Sequence, residues 1–196
     1  MSCQMASRCG AFYMTKSSDL KLNGKEVALR RLQPDDYREI AALYRRSVGH
    51  LRGLVQQRFD RASFDRLMAE ESNPATEFFL IVRRTDGAIV GTIGLSQIFR
   101  RKFQNAYLGY MLGAGYTGNG YMTEAVRLIL RFAFRDLKLH RIEANVQPGN
   151  APSLAVLRRC GFTKEGLSEK YLKIAGQWRD HERWAIIREN WKPKGT

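Results

Sequence analysis

Residues 110–125 read YMLGAGYTGNGYMTEA, and this stretch decides the fold. A strand-like run at 106–112 enters it, and a helical pattern starts at Tyr121, directly after Gly118 and Gly120. A helix that begins straight after a turn leaves its first amides unpaired at the positive end of its dipole. Glycine lets the backbone approach a ligand closely and tolerates positive φ. The stretch is therefore typical of a phosphate-binding turn, with an ordinary tight turn as the alternative.

Two common nucleotide-binding motifs do not match this turn. A P-loop ends in Gly-Lys-Ser or Gly-Lys-Thr, whereas Gly120 is followed by Tyr121 and Met122. A dinucleotide fingerprint lies near the first strand of its domain and needs a third glycine, where this mid-chain turn has Thr123. The sequence therefore excludes both of these modes of nucleotide binding.

The helix after the turn carries two distinct faces. Its apolar residues recur at helical spacing, which predicts a face packed on the core: Ala125, Leu128, Ile129, Phe132 and Ala133. A second face is basic and contains Arg127, Arg131, Arg135 and Lys138. Two interpretations of this basic face stay open, a solvated face and a surface that meets an anionic partner.

Strand and helix patterns fill the rest of the chain. A turn at Pro34 followed by two acidic residues predicts the start of a first helix, and Asn73-Pro74 predicts the end of a second. Strands are predicted at 27–32, 78–83, 88–96, 106–112 and 141–146, with a short helix after Asn150 and a final strand pair around 172–184. This order predicts one mixed α/β domain over residues 19–196, preceded by a disordered leader at 1–18.

The composition limits the partners and the location. Of the 196 residues, 44% are hydrophobic, which excludes wholesale disorder, and 33 Lys and Arg against 19 Asp and Glu give a net charge of +14. Such an excess favours polyanions: nucleic acid, an acidic membrane surface, the ribosome or a ligand with several phosphates. Arg131 interrupts the most apolar run, so no membrane span is predicted. Cys3, Cys9 and Cys160 form neither a disulfide framework nor a metal site, which indicates reduced thiols in a cytoplasmic protein.

Three ordered motifs resemble those of the GNAT N-acetyltransferase superfamily. Residues 107–125, from YLGY to GNGYMTEA, are similar to its acetyl-CoA-binding motif. Residues 145–153, NVQPGNAPS, and 160–166, CGFTKEG, are similar to its second cofactor motif. The tail at 176–181, GQWRDH, more narrowly resembles RimJ-type enzymes, which acetylate the N-terminal alanine of a small-subunit ribosomal protein. The resemblance extends from residue 22 to residue 191.

The resemblance implies a fold and a cofactor site. GNAT domains contain a central mixed sheet flanked by helices, and acetyl-CoA enters like an additional strand where the sheet splays apart. The pantetheine arm would bond to the backbone at Met111, Leu112 and Gly113, and Asn150 would both cap a helix and contact the cofactor. Gly115 stands where the superfamily usually has Arg or Gln, so no side-chain contact to phosphate is expected there. The pyrophosphate would instead meet the backbone of Gly118, Asn119, Gly120, Tyr121 and Met122.

The resemblance also implies Ser153 as the general acid, because it matches the serine of ribosomal-protein acetyltransferases. Leu157 stands where many GNAT enzymes carry a proton-donating tyrosine, and Asn145 and Leu172 match the glutamates that act as base in relatives, so no base is assigned. Cys160 is expected to be a buried core residue. Besides water, four side chains remain as candidate helpers: Glu143, Glu169, Asp180 and His181.

The acceptor site is expected near Trp178 and Arg179, although a Trp in an edge hairpin more commonly packs against the protein. Val55 stands where RimJ-type enzymes carry a Trp, which leaves the identity of the acceptor open.

Three functions are compatible with these observations. The first is acetyl transfer from acetyl-CoA to a protein N-terminus, in particular the N-terminal alanine of a ribosomal protein. The second keeps acetyl-CoA but uses a small amine, and the charge of +14 argues against a polycationic one because the two would repel each other. The third is a ribosome-binding or RNA-binding assembly protein. No RRM, KH, zinc-finger or helix-turn-helix signature accompanies the charge, so no sequence-specific nucleic-acid contact is predicted.

Overall fold

A mixed sheet of eight strands runs through the part of the chain that the computed structural model describes, residues 20–54 and 59–193. Its strand order is β1-β2-β3-β4-β5-β6-β8-β7, and all neighbours are antiparallel except the parallel pair β5 and β6. The strands are β1 (Lys21–Asn23), β2 (Val27–Arg30), β3 (Glu77–Arg83), β4 (Ile89–Phe99), β5 (Asn105–Leu112), β6 (Arg141–Val146), β7 (Thr163–Ile174) and β8 (Gln177–Ile187).

Helices cover both faces of this sheet. They are α1 (Tyr37–Ser47), α2 (Arg61–Glu70), α3 (Tyr121–Arg131), which continues into a π-helical turn at Phe132–Asp136, and α4 (Ala151–Arg159). The larger core lies between the sheet and α3 and α4, and it includes the five apolar residues predicted on one face of α3. The smaller core lies under α1 and α2 and contains Leu43, Phe64 and Met111. Two helices have side-chain caps, Asp60 for α2 and Asn150 for α4.

The sheet opens between β5 and β6. These two strands pair only through Asn105–Arg141, Ala106–Ile142 and Tyr107–Glu143. Beyond that point β5 continues to Leu112 on β4, and β6 continues to Val146 on β8. Since each strand keeps only its outer neighbour there, a gap separates the two inner edges. This arrangement confirms the predicted mixed α/β fold with a splayed central sheet.

Most element predictions are confirmed, and the differences are local. The strand at 141–146 matches β6, and the other predicted strands differ from the observed ones mainly at their ends. The sequence analysis missed β1 and most of β7, residues 163–171. It also wrongly extended the basic face of α3 to Lys138, which lies beyond the helix with a positive φ of 56°. The predicted disordered leader lies outside the described residues. In the described part of the chain, no helix has the length and apolarity needed to cross a bilayer.

Candidate functional site

One wall of the gap is the backbone of β5. The Gly113 amide donates to Val90 O at 2.8 Å, on the side of β4. Because alternate residues of an antiparallel strand bond to the same neighbour, Met111 also directs its backbone toward β4, whereas Tyr110 and Leu112 direct theirs toward the gap. Of the three residues predicted to bond to pantetheine, Leu112 is thus the one whose amide and carbonyl face the opening.

The glycine-rich turn closes the wide end of this wall. Gly115, Gly118 and Gly120 have φ values of +85°, +83° and +78°, a region that L-residues with a side chain rarely adopt. Gly120 is the N-cap of α3, so the amides of Tyr121 and Met122 lie in the first helical turn without intrahelical acceptors. A Cβ built on Gly118 or Gly120 would meet no atom within 4 Å, so the space above the turn is open to a ligand.

The side chains of Asn119 and Met122 contact the protein itself. Asn119 Nδ2 donates to Tyr116 O at 3.3 Å and to Thr117 O at 3.2 Å, which holds the turn in shape. The Met122 side chain is buried in the larger core. A phosphate ligand would therefore meet the backbone amides at these positions, as the sequence analysis predicts for the whole turn.

Charged side chains extend the site beyond the turn. A pocket of about 430 Å³ is lined by Asn119, Gly120, Thr123 and three cations, Lys25, Arg127 and Arg159. Two carboxylates also line it. Glu124 accepts the backbone amides of Lys25 and Glu26 in the turn between β1 and β2, and the Glu26 carboxylate lies 3.9 Å from Lys25 Nζ. The cations therefore lie where the phosphates of a bound nucleotide-like ligand would continue from the turn.

A pair of hydroxyl groups lies where α4 meets β5. Asn150 Oδ1 accepts the Ser153 amide at 3.3 Å, which confirms its predicted role as a helix cap. The Ser153 Oγ lies 2.7 Å from the Tyr110 hydroxyl, and either oxygen can donate. Burial raises the pKa of Tyr110 to about 12, against a smaller opposite effect of the Ser153 hydrogen bond. Tyr110 therefore stays protonated at physiological pH and can supply a proton to Ser153.

The sequence analysis missed Tyr110. On β5 it shares a face with Leu108 and Leu112. Because side chains alternate along a strand, this position reads as a core position from the sequence. Cys160, predicted to be buried, is only half-buried, because it lies at the end of α4 and packs against the edge of the core. Its thiol donates to Thr123 O at 3.6 Å and joins the end of α4 to the start of α3.

The four predicted helpers differ in their surroundings. Glu143 accepts from Arg141 Nε at 2.8 Å and from Asn105 Nδ2 at 2.7 Å. Asp180 accepts the Lys170 amide at 2.7 Å in the β7–β8 hairpin. Both carboxylates therefore have structural partners, and Glu169 is exposed on β7.

His181 is buried on β8, and its Nδ1 lies 2.9 Å from Arg179 O. Because a carbonyl oxygen only accepts, Nδ1 carries a proton in this contact. Trp178 is 60% exposed at the hairpin tip, so the alternative that it packs against the protein is wrong.

Two contacts join the end of α1 and the segment after it to the two sides of the gap. Ser47 Oγ accepts the Ala114 amide at 2.9 Å, and Gln147 Nε2 donates to Gly53 O at 2.7 Å from the end of β6. On the part of β6 that is not paired with β5, Asn145 Oδ1 is buried without a hydrogen-bond partner among the described residues. Val55, which departs from the RimJ pattern, lies outside the described residues.

Known proteins are similar to this chain in sequence and in fold. Residues 26–163 match the acetyltransferase (GNAT) domain family. The ribosomal protein uS5-alanine N-acetyltransferase of Escherichia coli is 42% identical over 105 residues, which cover 54% of each chain. The crystal structure of the ribosomal-protein-S5-alanine acetyltransferase from Vibrio fischeri has a TM-score of 0.78 and 32% identity over 89% of this chain and 100% of that one. RimJ of Mycobacterium smegmatis, solved with CoA-disulfide, has a TM-score of 0.74 and 32% identity over 86% and 85%. The chain spans about half the length of the curated relative it matches.

Proposed function

Since the chain belongs to the GNAT acetyltransferase domain family, we propose that it transfers the acetyl group of acetyl-CoA directly to an amine. The observation that carries this proposal is the gap between β5 and β6, with the glycine turn at one end and the Ser153–Tyr110 pair beside it. CoA fits these residues by its chemistry. Its amide-containing arm suits the free backbone of Leu112, and its phosphates suit the turn amides and the cations Lys25, Arg127 and Arg159. The CoA-disulfide complex of the Mycobacterium smegmatis relative supports the same ligand.

Different residues around the gap act in different steps of the proposed reaction. A neutral amine attacks the thioester carbonyl carbon, a backbone amide of β5 stabilises the charge that develops on its oxygen, and the carbon–sulfur bond breaks. Ser153 gives its proton to the departing thiolate and recovers one from Tyr110. The attacking amine loses its proton to water, and the Tyr110 oxygen regains a proton from water, so the protons balance over the cycle. No nucleophilic cysteine is needed, which agrees with the hydrogen-bonded thiol of Cys160.

The acceptor we propose is the N-terminal alanine of a ribosomal protein. The Escherichia coli and Vibrio fischeri relatives are named for this substrate, and the net charge of +14 suits work beside an anionic ribosome in the cytoplasm. An α-amino group has a pKa of about 7.7–8.0, so much of it is neutral near pH 8 and no strong base is required. The unpaired Asn145 Oδ1 supplies an acceptor for the amine N–H on the open stretch of β6.

A panel of amines tests this function. The protein is incubated with acetyl-CoA and, separately, with a peptide that has a free N-terminal alanine, the same peptide blocked at its N-terminus but containing lysine, and spermidine. Mass spectrometry is expected to show one acetyl group on the free-alanine peptide alone. Absence of acetyl-CoA turnover with every amine would contradict acetyl transfer. Faster acetylation of spermidine or lysine would retain the transferase and refute the proposed acceptor.

A further inference from the structure

A second pocket, here called the basic pocket, lies beyond the cofactor site. It has a volume of about 420 Å³ and is formed by the later part of α3, the end of α4 and residues 190–193. Six cationic side chains line it: Arg127, Arg131, Arg135, Arg158, Arg159 and Lys192. No aspartate or glutamate is among the described residues of its lining. The pocket is therefore a concentrated positive surface.

The backbone of α3 aligns three of these arginines. Residues four apart in an α-helix advance about 6 Å along its axis and drift about 40° around it at each step. The π-helical turn at Phe132–Asp136 follows, and Leu137 N donates to Phe132 O at 3.0 Å across it. A wider turn reverses part of the drift, and Arg135 lines the same pocket as Arg127 and Arg131. The π-helical turn therefore keeps Arg127, Arg131 and Arg135 on one side of the helix, where they form a row of cations.

Aromatic rings hold two guanidinium groups against the pocket walls. Arg135 lies 5.5 Å from the centre of the Trp191 ring, which itself packs on Phe134. Arg158 lies 5.3 Å from the Trp184 ring. Within the described chain, no carboxylate lies at ion-pair distance from Arg135, Arg159 or Lys192. Aromatic rings thus orient the guanidinium groups of Arg135 and Arg158, and no carboxylate of the described chain pairs with Arg135, Arg159 or Lys192. Arg131 Nη2 donates to the backbone oxygen of Asn23 at 3.4 Å.

One acetyl-CoA does not account for all of these cations. Arg127 and Arg159 line both pockets and lie beside the glycine turn. Arg131, Arg135, Arg158 and Lys192 line only the basic pocket. A row of cations at regular spacing suits a ligand with repeated negative charges, in which successive phosphates follow a strand.

We propose that the basic pocket binds the phosphate backbone of RNA, with Arg131, Arg135 and Lys192 as contacts that acetyl-CoA does not use. Guanidinium groups bind phosphate through paired hydrogen bonds, and a backbone contact needs no sequence-specific motif, in agreement with the absence of one in the sequence. A membrane surface fits less well, because the exposed apolar side chains of Phe99 and Trp178 lie outside this pocket. The RNA surface does not depend on which amine is acetylated.

A charge-neutralised variant tests the RNA surface. Arg131, Arg135 and Lys192 are changed together to Gln, and a matched control changes Arg45, Arg101 and Lys102, which are exposed elsewhere, to Gln. The affinity for a labelled single-stranded RNA is measured by fluorescence anisotropy at several salt concentrations. Each phosphate contact contributes about −0.7 to the slope of log K against log salt, so the pocket variant is expected to lose about 2 from that slope. The control is expected to keep most of its slope, and both variants are expected to bind CoA like the parent protein.

Four outcomes would overturn the proposal. The parent protein does not bind RNA, or it binds anionic vesicles but not RNA. The control variant loses as much RNA affinity as the pocket variant, or the pocket variant loses as much affinity for CoA as for RNA. Lys192→Gln alone, at an exposed position, repeats the test if the triple variant does not fold, with an expected loss of about 0.7 from the slope. Acetylation of a free peptide is measured in parallel. A parent protein that acetylates the peptide but does not bind RNA would overturn this proposal and leave the acetyltransferase function intact.

Discussion

The contact between the Ser153 and Tyr110 hydroxyls places two proton donors between α4 and β5. Ser153 stands in a motif that the sequence shows directly, as does its cap, Asn150. Tyr110 could not be assigned from the sequence, because its partner depends on how closely α4 packs on a strand that is distant in the chain. For the same reason, the sequence did not show that Asn145 Oδ1 would be left unpaired.

Removal of either hydroxyl is expected to slow acetyl transfer without weakening CoA binding. Ser153→Ala should lower kcat by about 100-fold or more, because a positioned proton donor contributes on that order. Tyr110→Phe should cause a smaller loss, since Ser153 can then recover its proton from water. Steady-state kinetics and a CoA titration measure both effects. The control is Tyr37→Phe, which removes the hydroxyl of a tyrosine on α1 that packs against Phe64 of α2. A kcat of Ser153→Ala within twofold of the parent value would refute the role of Ser153.

The pH dependence of kcat/KM reports the same pair. Activity with a free-alanine peptide should rise with pH through about 8, because the acceptor ammonium must lose its proton before it can attack. The raised pKa of Tyr110, about 12, keeps the donor protonated above that range. A plateau up to about pH 10 is therefore expected, with circular dichroism as the check on folding. A fall in kcat/KM between about pH 8.5 and 10 would show that a group with a lower pKa donates the proton.

Among the elements, the glycine turn and α3 were the most accessible to prediction. Their signals are local: glycines before a strongly amphipathic helix. The limited pairing of β5 and β6 was predicted only through family resemblance, because strand registers between distant segments leave no local pattern. Likewise, β1 has three residues and was missed, since so short a strand has no periodicity to detect.

Side chains added to the glycine turn should lower the affinity for CoA more than they lower the stability of the fold. Gly118→Ala and Gly120→Ala each place a Cβ at positive φ, which costs about 1–2 kcal/mol of folding free energy. The new methyl groups meet no protein atom, but they enter the open space through which a ligand would reach the turn. Gly87→Ala is a matched control, with a φ of +76° and equally open space between β3 and β4. All three should lower the melting temperature similarly, and the turn variants alone should lose CoA affinity by about tenfold or more, measured by calorimetric titration. Equal CoA affinity in all three would contradict the assignment of the turn.

At the scale of the whole molecule, seven of the 33 Lys and Arg side chains line two adjoining pockets. Lys25, Arg127 and Arg159 lie beside the glycine turn, and the other cations of the basic pocket lie farther along α3, on α4 and at residue 192. The sequence showed the excess of charge and its stripe on α3. It did not show that α4 and the segment near residue 192 complete a pocket around that stripe, because this requires three separate segments to converge.

Amide-resolved hydrogen exchange with and without CoA tests most directly whether the ligand enters the gap between β5 and β6. The Leu112 amide faces the gap, and the Tyr121 and Met122 amides open the helix, so all three are expected to exchange more slowly when CoA is bound. The Gly113 amide already donates to Val90 and should change little. CoA binding that leaves Leu112 and the turn unprotected, with protection confined to residues 190–193 or to α2, would contradict the account.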